Sequence, residues 1–179
     1  RVMTMKNYTF STQRLLVGEW HSMISTDTAE TELSQTVISI LTPPVTRSLP
    51  TAWQGAYTLE RARAWIRDRD LEGVTMLIKD PLANLSIGFL ILSEDDNRDV
   101  RIGYLLAEHA WGKGLASELI QGFIAWCKDA GLRSIVGGVA RDNEASIRVL
   151  EKNGFVCEQA EDDTSEIVCT LLLETDPLH

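Results

Sequence analysis

Residues 109–120, HAWGKGLASELI, have two glycines around a lysine and then begin an amphipathic pattern. A glycine-opened loop ahead of a helix presents unpaired backbone N–H groups and the positive end of the helix dipole in the same direction. This arrangement is suited to an anion such as a phosphate. The sequence therefore predicts a phosphate-binding loop around Gly112 and Gly114, with a tight turn that binds no ligand as the alternative.

Two common phosphate loops do not match this stretch. A Walker loop ends in Gly-Lys followed by Ser or Thr, whereas Lys113 is followed by Gly114 and leaves no hydroxyl for magnesium. The dinucleotide fingerprint GxGxxG needs a third glycine where Ser117 stands, and it follows the first strand of a parallel sheet. Both types of nucleotide site are therefore excluded.

The segments ahead of the loop are predicted to form an antiparallel meander. Residues 74–80, 86–94 and 100–108 have strand-like compositions and are separated by DPLAN and DDNRD, which are typical of turns. Because such short connections join antiparallel neighbours, we expect three adjacent antiparallel strands.

After the loop the hydrophobic period changes from strand to helix. Apolar residues recur at helical spacing from Leu115 to Cys127, and Gly131 is well placed to end the helix. Residues 134–140, SIVGGVA, then predict another strand. A strand, a helix and a strand in this order favour parallel pairing, which opens a crevice at the carboxyl ends of the two strands, where the glycine loop would lie.

The first third of the chain is predicted to supply a strand, two helices and a loop. Residues 14–20, RLLVGEW, favour a first strand, and residues 29–41 favour a helix that the prolines of TPP end. A second helix is expected to begin near Thr58. Residues 48–57, SLPTAWQGAY, are either a plain connector or a substrate lid.

The last third predicts a short helix and a hairpin. Asp142 or Asn143 would cap a helix that Gly154 ends, and FVCEQA and SEIVCTLLLE would pair across EDDT. The fold class is therefore mixed α/β: one domain over residues 1–179, whose sheet is antiparallel on both sides of one parallel strand pair. Residues 1–10 are expected to be an expression remnant or a flexible tail.

Composition narrows the class of function. With a net charge of −9, the chain lacks the clustered basic residues that nucleic-acid binding requires, and no apolar run is long enough to cross a membrane. Cys127, Cys157 and Cys169 are odd in number and show no CxxC spacing, so free buried thiols are expected rather than a disulfide framework or a metal site. These features favour a cytoplasmic protein.

The run WGKGLA, with Gly114 and Ala116 at the small positions, resembles the acetyl-CoA signature of the GNAT superfamily of N-acetyltransferases. That signature has Gln or Arg, two residues, Gly, one residue, and then Gly or Ala. Four further segments are similar to the branch that contains the ribosomal-protein N-terminal alanine and serine acetyltransferases, so the resemblance covers nearly the whole chain. These segments are residues 11–20, 48–53, 102–119 and 141–155.

The resemblance implies a single GNAT-like domain with acetyl-CoA as co-substrate. Its mostly antiparallel sheet would be splayed at one parallel strand pair and would carry helices on both faces. The loop would hold the diphosphate mainly through backbone N–H groups, although Trp111 stands at the Gln or Arg position. Backbone groups of the preceding strand and Asn143 would face the pantetheine arm. The implied cofactor-binding residues are Leu105, Leu106, Ala107, Trp111, Gly112, Lys113, Gly114, Leu115, Ala116, Asn143 and Ser146.

The resemblance also implies Ser146 as a candidate proton donor to the departing thiolate, with an exposed helical serine as the alternative. Sister enzymes use a glutamate and a tyrosine at the positions of Gly138 and Leu150, and both are missing here. Glu94, Glu108 and His109 are then the candidate bases by sequence, although each could equally be a solvated loop residue.

The predicted reaction is direct attack of a primary amine on the thioester. An α-amine, with a pKa of about 7.7–8.0, is partly neutral at pH 7 and needs less help than a lysine near ~10.4. The expected acceptor is therefore the N-terminal α-amine of a protein such as a ribosomal protein. A polyamine or aminoglycoside acetyltransferase and a catalytically silent CoA-binding regulatory module remain alternatives, and a homodimer is left open.

Overall fold

The computed structural model describes residues 9–24, 28–94, 98–160 and 166–173, and its strands form a single sheet. The strands of these described residues are β1 (Thr9–Ser11), β2 (Leu16–Glu19), β3 (Val74–Asp80), β4 (Leu85–Glu94), β5 (Asp99–Leu106), β6 (Ser134–Ala140), β7 (Val156–Gln159) and β8 (Glu166–Leu172). Their order in the sheet is β1-β2-β3-β4-β5-β6-β8-β7.

Helices connect and cover the strands. They are α1 (Trp20–Met23), α2 (Ala29–Ile40), α3 (Pro43–Thr46), α4 (Leu59–Glu72), α5 (Leu115–Asp129) and α6 (Glu144–Lys152), with short 3₁₀ turns at Thr51–Trp53 and Glu108–Ala110. The predicted caps are confirmed at α4 and α6. The Thr58 hydroxyl accepts a hydrogen bond from the Arg61 N–H, and the Asn143 side chain accepts one from the Ser146 N–H.

One pair of neighbouring strands is parallel, as the sequence predicted. Strand β5 pairs with β6 in parallel from Asp99↔Ser134 to Ile102↔Gly137, whereas the other pairs of the described sheet are antiparallel. The ladder stops at Ile102 although β5 continues to Leu106. The two strands therefore separate toward their carboxyl ends, which confirms the splayed mixed α/β sheet.

At the opposite end of the pair, where β5 and β6 begin, side-chain contacts hold the two strands together. The Asp99 carboxylate accepts hydrogen bonds from the Ser134 hydroxyl at 2.6 Å and from the Arg133 guanidinium at 2.9 Å. These contacts join the first residues of β5 and β6. The crevice can therefore open only toward Leu106 and Ala140.

Two apolar layers cover the two faces of the sheet. One packs α1, α2 and α4 against side chains such as Leu77 and Phe89, and the other packs α5 and α6 against side chains such as Leu90 and Leu92. Because successive strand residues point to opposite faces, Phe89 and Leu90 are buried in different layers. This alternation decides which residues of β4 and β5 can reach the crevice.

Three expectations about the first half of the chain need correction. Residues 9 and 10, expected to be a remnant or tail, belong to β1, and Phe10 packs 6.3 Å from Phe123 between ring centroids; residues 1–8 lie outside the described part. The predicted first strand is the second, and it ends at Glu19 because the Glu19 side chain caps α1. The prolines of TPP end α2 but also begin α3, since proline suits the first turn of a helix.

The expectation of three free thiols is wrong for two of the cysteines. Cys157 and Cys169 form a disulfide, whereas Cys127 is a free buried thiol. The register of β7 on β8 sets the bonded cysteines directly opposite each other, with their Cα atoms 4.0 Å apart. Their spacing along the chain could not show this, because it depends on strand register.

In the described residues, no helix is long and apolar enough to cross a membrane.

Candidate active site

The glycine loop leads directly into α5, as predicted. Gly112 and Gly114 have φ of +72° and +75°, a left-handed conformation that favours glycine. Gly114 is the N-cap of α5 and supplies no side-chain cap. The N–H groups of the first turn therefore remain available to an anion.

Trp111 ties this loop to the end of β5. Its indole Nε1 donates a hydrogen bond to the Leu106 carbonyl oxygen at 2.9 Å, while 47% of the residue stays exposed. A ring at this position thus fixes the distance between the loop and the strand. This contact accounts for tryptophan where the family signature has Gln or Arg.

A cavity of about 650 Å³ runs from the loop to the start of α6. Most of the residues that the sequence assigned to cofactor binding line it: Leu105, Leu106, Trp111, Gly112, Gly114, Leu115, Ala116, Asn143 and Ser146. The structure puts the other two elsewhere. Ala107 is buried and its N–H donates to the Ile87 carbonyl at 2.7 Å, and Lys113 is exposed beside the cavity.

The splayed part of β5 presents backbone groups to this cavity. In an antiparallel pair, every second residue directs its N–H and C=O to the partner strand. Because the Ala107 N–H bonds to the Ile87 carbonyl, the odd-numbered residues of β5 are the ones that bond to β4. Even-numbered residues of β5 therefore direct their N–H and C=O toward β6. Strand β6 no longer pairs with β5 beyond Gly137. The Leu106 N–H is thus directed into the crevice, while its carbonyl oxygen is taken by Trp111.

A second cavity of about 800 Å³ lies on the other side of the splay. Its wall includes Trp53 from the 3₁₀ turn, Glu72 at the end of α4, Arg101 on β5 and Glu166 on β8. It is therefore lined by both apolar and charged groups. The two cavities share Ser48, Leu49, Tyr104, Leu105, Asn143 and Ser146.

Two hydroxyl groups lie where the cavities meet. The Tyr104 phenolic oxygen is 2.8 Å from the Ser146 hydroxyl oxygen. Burial raises the pKa of Tyr104, and the hydrogen bond with Ser146 offsets this only in part. The phenol therefore stays protonated at neutral pH and can donate a proton through or beside Ser146.

A carboxylate and a phenol from other strands lie near the two positions, Gly138 and Leu150, at which the sequence lacks a glutamate and a tyrosine. A side chain on Gly138 would overlap the Glu166 carboxylate, so β8 supplies a carboxylate where β6 has none. Tyr104 brings a phenol to Ser146, which lies one turn before Leu150 on α6. Sequence reasoning missed both residues, because only the sheet order β5-β6-β8 brings them to this site.

The sequence-based candidates for the base lie outside both cavities. Glu94 lies on the same face of β4 as Leu90 and Leu92, so it points to the α5 side of the strand. Glu108 and His109 are exposed in the 3₁₀ turn that follows β5. Among the described residues, no group of His, Cys, Asp and Glu could hold a metal ion.

Residues 48–57, for which the sequence allows a plain connector or a substrate lid, contribute a wall to both cavities. Arg61 on α4 donates hydrogen bonds to the backbone carbonyls of Ala52, Gln54 and Ala56, at 3.1, 2.6 and 2.8 Å. Trp53 contacts one ring and one cation of α4: its ring centroid lies 5.4 Å from that of Trp65 and 4.5 Å from the Arg69 guanidinium carbon. The wall is therefore braced from α4 in this structure.

A mixed sheet that opens at one parallel pair, with a glycine loop and a helix N-terminus at the opening, defines a class of acyl-CoA-dependent transferases. A family model described as Acetyltransferase (GNAT) domain matches residues 28–156. The chain therefore belongs to the GNAT acetyltransferase family and is an N-acetyltransferase, and acetyl-CoA is the co-substrate of that family.

Solved structures of the same fold include several acetyltransferases. A GNAT-family acetyltransferase from Bacillus anthracis has a TM-score of 0.74 at 19% identity, covering 92% of this chain and 98% of its own. RimL, the ribosomal L7/L12 α-N-protein acetyltransferase in complex with coenzyme A, has a TM-score of 0.73 at 20% identity, covering 94% and 100%.

A third structure is the Salmonella typhimurium acetyltransferase that modifies the N-terminal serine of ribosomal protein L7/L12. Its TM-score is 0.67 at 22% identity, and 90% of this chain and 96% of that chain are covered. No curated protein sequence is significantly similar to this chain. At these identities the likeness to the solved structures shows the fold.

Proposed function

We propose that the enzyme transfers the acetyl group of acetyl-CoA to the N-terminal α-amine of a protein, with ribosomal proteins as the acceptor class. The observation that carries the proposal is the meeting of two cavities at Tyr104 and Ser146. One cavity begins at an anion-binding loop, and the other is open to a separate acceptor. A hydroxyl pair at their junction is suited to group transfer between the two.

The first cavity would hold acetyl-CoA along its length. Backbone N–H groups from Gly112 to Ala116 would bind the diphosphate. The pantetheine arm would follow the free backbone edge of β5 and the Asn143 side chain. The Leu106 N–H would then polarise the thioester carbonyl, which suits a preformed backbone donor aimed at developing negative charge.

The reaction would proceed by direct attack. The neutral amine nitrogen forms a bond to the thioester carbon, and the bond between that carbon and sulfur breaks with its electron pair on sulfur. A proton from the Tyr104 and Ser146 pair neutralises the departing thiolate, whose ordinary pKa of about 8.5 already makes it a fair leaving group. The proton lost by the amine must go to a base or to water.

Glu166 is our proposal for that base, acting directly or through a water molecule. It lines the acceptor cavity and lies over Gly138. Glu94 and Glu108 were the candidates from sequence, but neither lines either of these two cavities. The proposed base is therefore a residue of β8 rather than one of the glutamates that lie close to the glycine loop in sequence.

A protein N-terminus suits this site better than a lysine side chain. An α-amine is partly neutral at pH 7, whereas a lysine would need a strong depression of its pKa. Two structural neighbours are acetyltransferases of ribosomal protein L7/L12, which supports the acceptor class. A ribosomal acceptor implies a cytoplasmic reaction.

The test is thiol release from acetyl-CoA with a panel of acceptors. Peptides with N-terminal serine or alanine from ribosomal proteins should give saturable release, and the same peptides with a blocked N-terminus should give none. Saturation only with spermidine or an aminoglycoside would replace the protein acceptor by a small amine. Tight CoA binding without release from any acceptor would indicate a regulatory CoA-binding module instead.

A further inference from the structure

The turn between β1 and β2 reaches the glycine loop through Arg14. Its Nη1 donates a hydrogen bond to the Lys113 carbonyl oxygen at 2.9 Å, and its Nε donates to Glu118 Oε1 at 2.7 Å. The remaining nitrogen, Nη2, lies 3.7 Å from where a Cβ on Gly114 would be. One guanidinium therefore spans the loop from its middle to the first turn of α5.

Glu118 is the centre of this contact. Besides Arg14 Nε, its carboxylate accepts the Arg14 backbone N–H at 2.8 Å and the Thr12 hydroxyl at 2.5 Å. Gly122, one turn further along α5, has no side chain, and Thr12 and Phe10 approach into that space. The N-terminal hairpin is thus docked on α5 beside the loop.

The carboxylate of Glu118 is held in its charged form. Burial acts to raise its pKa, but the hydrogen bonds from Thr12 and Arg14 outweigh this and lower the pKa below its ordinary value. Only 15% of the side chain is exposed, so solvent screens the charge weakly. A full negative charge therefore lies in the first turn of the helix whose N-terminus faces the loop.

That charge conflicts with a diphosphate. A carboxylate in the first turn favours the helix dipole, but it repels a second anion at the same terminus. Arg14 removes the conflict because its positive charge is bonded to Glu118 and to the loop itself. We propose that Arg14 is a positioning residue of the diphosphate loop, neutralising Glu118 and fixing the Lys113 carbonyl so that the loop N–H groups stay directed at the cofactor.

This inference rests on the proposed binding of acetyl-CoA, and it predicts a defect confined to the diphosphate. We expect Arg14→Gln to weaken CoA binding about 5- to 20-fold, while Arg14→Lys, which keeps the charge, stays within about threefold of the parent. Removing the repelling charge should restore binding, so Arg14→Gln/Glu118→Gln should bind more tightly than Arg14→Gln. Isothermal titration with CoA measures all three.

A second readout separates positioning from general stability. S-acetyl-pantetheine has the thioester but lacks the diphosphate, so kcat/KM with this substrate should be the same within about twofold for Arg14→Gln and the parent. Thermal unfolding of each variant checks folding, and Arg67→Gln, an exposed arginine on α4, is the matched control.

Several outcomes would overturn the inference. Equal CoA affinity in the parent and folded Arg14→Gln would do so, as would an equal loss with S-acetyl-pantetheine. If Arg14→Gln does not fold, weak CoA binding by Arg14→Lys would count against charge neutralisation. The proposed function fails differently, because then the parent enzyme itself would bind no CoA or would release no thiol with any peptide N-terminus.

Discussion

The phenolic oxygen of Tyr104 lies 2.8 Å from the hydroxyl oxygen of Ser146, and this pair joins β5 to the first turn of α6. Asn143 positions the serine by accepting its backbone N–H at 3.3 Å. The two hydroxyls come from residues 42 positions apart in the chain, yet both line the two cavities. Their contact is therefore the point at which proton transfer to the leaving thiolate can be tested.

Tyr104→Phe should lower kcat by about 100-fold or more, because general-acid catalysis typically contributes roughly 10²- to 10⁴-fold. Its KM for acetyl-CoA should change by less than about threefold, since the loop and the β5 backbone are untouched. Steady-state thiol release with a peptide acceptor measures both.

Ser146→Ala should give a similar loss of kcat. The double variant should be no worse than the poorer single variant if the two hydroxyls act as one unit. Additive losses would contradict a shared proton path.

Gly114→Ala should abolish tight CoA binding, since alanine at a φ of +75° costs about 1–2 kcal/mol and disturbs the N-terminus of α5. Gly131→Ala is the matched control, because Gly131 has a φ of +74° at the other end of the same helix. Both variants should lose similar unfolding free energy, but only Gly114→Ala should lose CoA affinity by tenfold or more, about 1.4 kcal/mol. Urea unfolding and isothermal titration measure the two quantities; equal affinity loss in both variants would argue against a loop-specific role.

Arg61→Gln should loosen the wall of the acceptor cavity, because it removes donors to the carbonyls of Ala52, Gln54 and Ala56. We expect the KM for a peptide acceptor to rise about 3- to 10-fold, with CoA affinity within about twofold of the parent. Arg67→Gln on the same helix, exposed to solvent, should change neither. An unchanged acceptor KM in Arg61→Gln would show that the wall does not depend on this brace.

Asp99→Asn should destabilise the closed end of the parallel pair by about 1 kcal/mol at pH 7. Hydrogen bonds from Arg133 and Ser134 lower the pKa of Asp99, and they outweigh burial, which acts to raise it. A lowered folded-state pKa stabilises the fold above the unfolded pKa of about 3.9, and this contribution is lost as the pH falls through the folded-state value.

The stability difference between the parent and Asp99→Asn should therefore be constant from pH 7 to about pH 5 and shrink below about pH 4. Urea unfolding at pH 7, 5 and 3.5 measures it, with Asp68→Asn on the exposed face of α4 as the control. A difference that persisted undiminished at pH 3.5 would mean that the Asp99 charge is not its source.

Local rules explain why the glycine loop could be predicted. Two glycines at positive φ, the helix that begins at Leu115 and the strand that ends at Leu106 lie within a short stretch of chain. Turn conformation, helix initiation and hydrophobic period are each set by neighbours a few residues apart. The parallel step and the Asn143 cap followed from the same kind of information.

Residues far apart in sequence complete the site, and no local pattern indicates them. Tyr104 meets Ser146, Glu166 covers Gly138, and Arg14 binds Glu118 only because sheet order and register bring their strands and helices together. The Cys157–Cys169 bond has the same origin.

The sequence by itself thus determined the glycine loop and the kind of fold that holds it, because those depend on contacts close along the chain. Which hydroxyls and carboxylates face the reacting groups was decided only by the tertiary structure, since strand register places distant side chains on one face or the other.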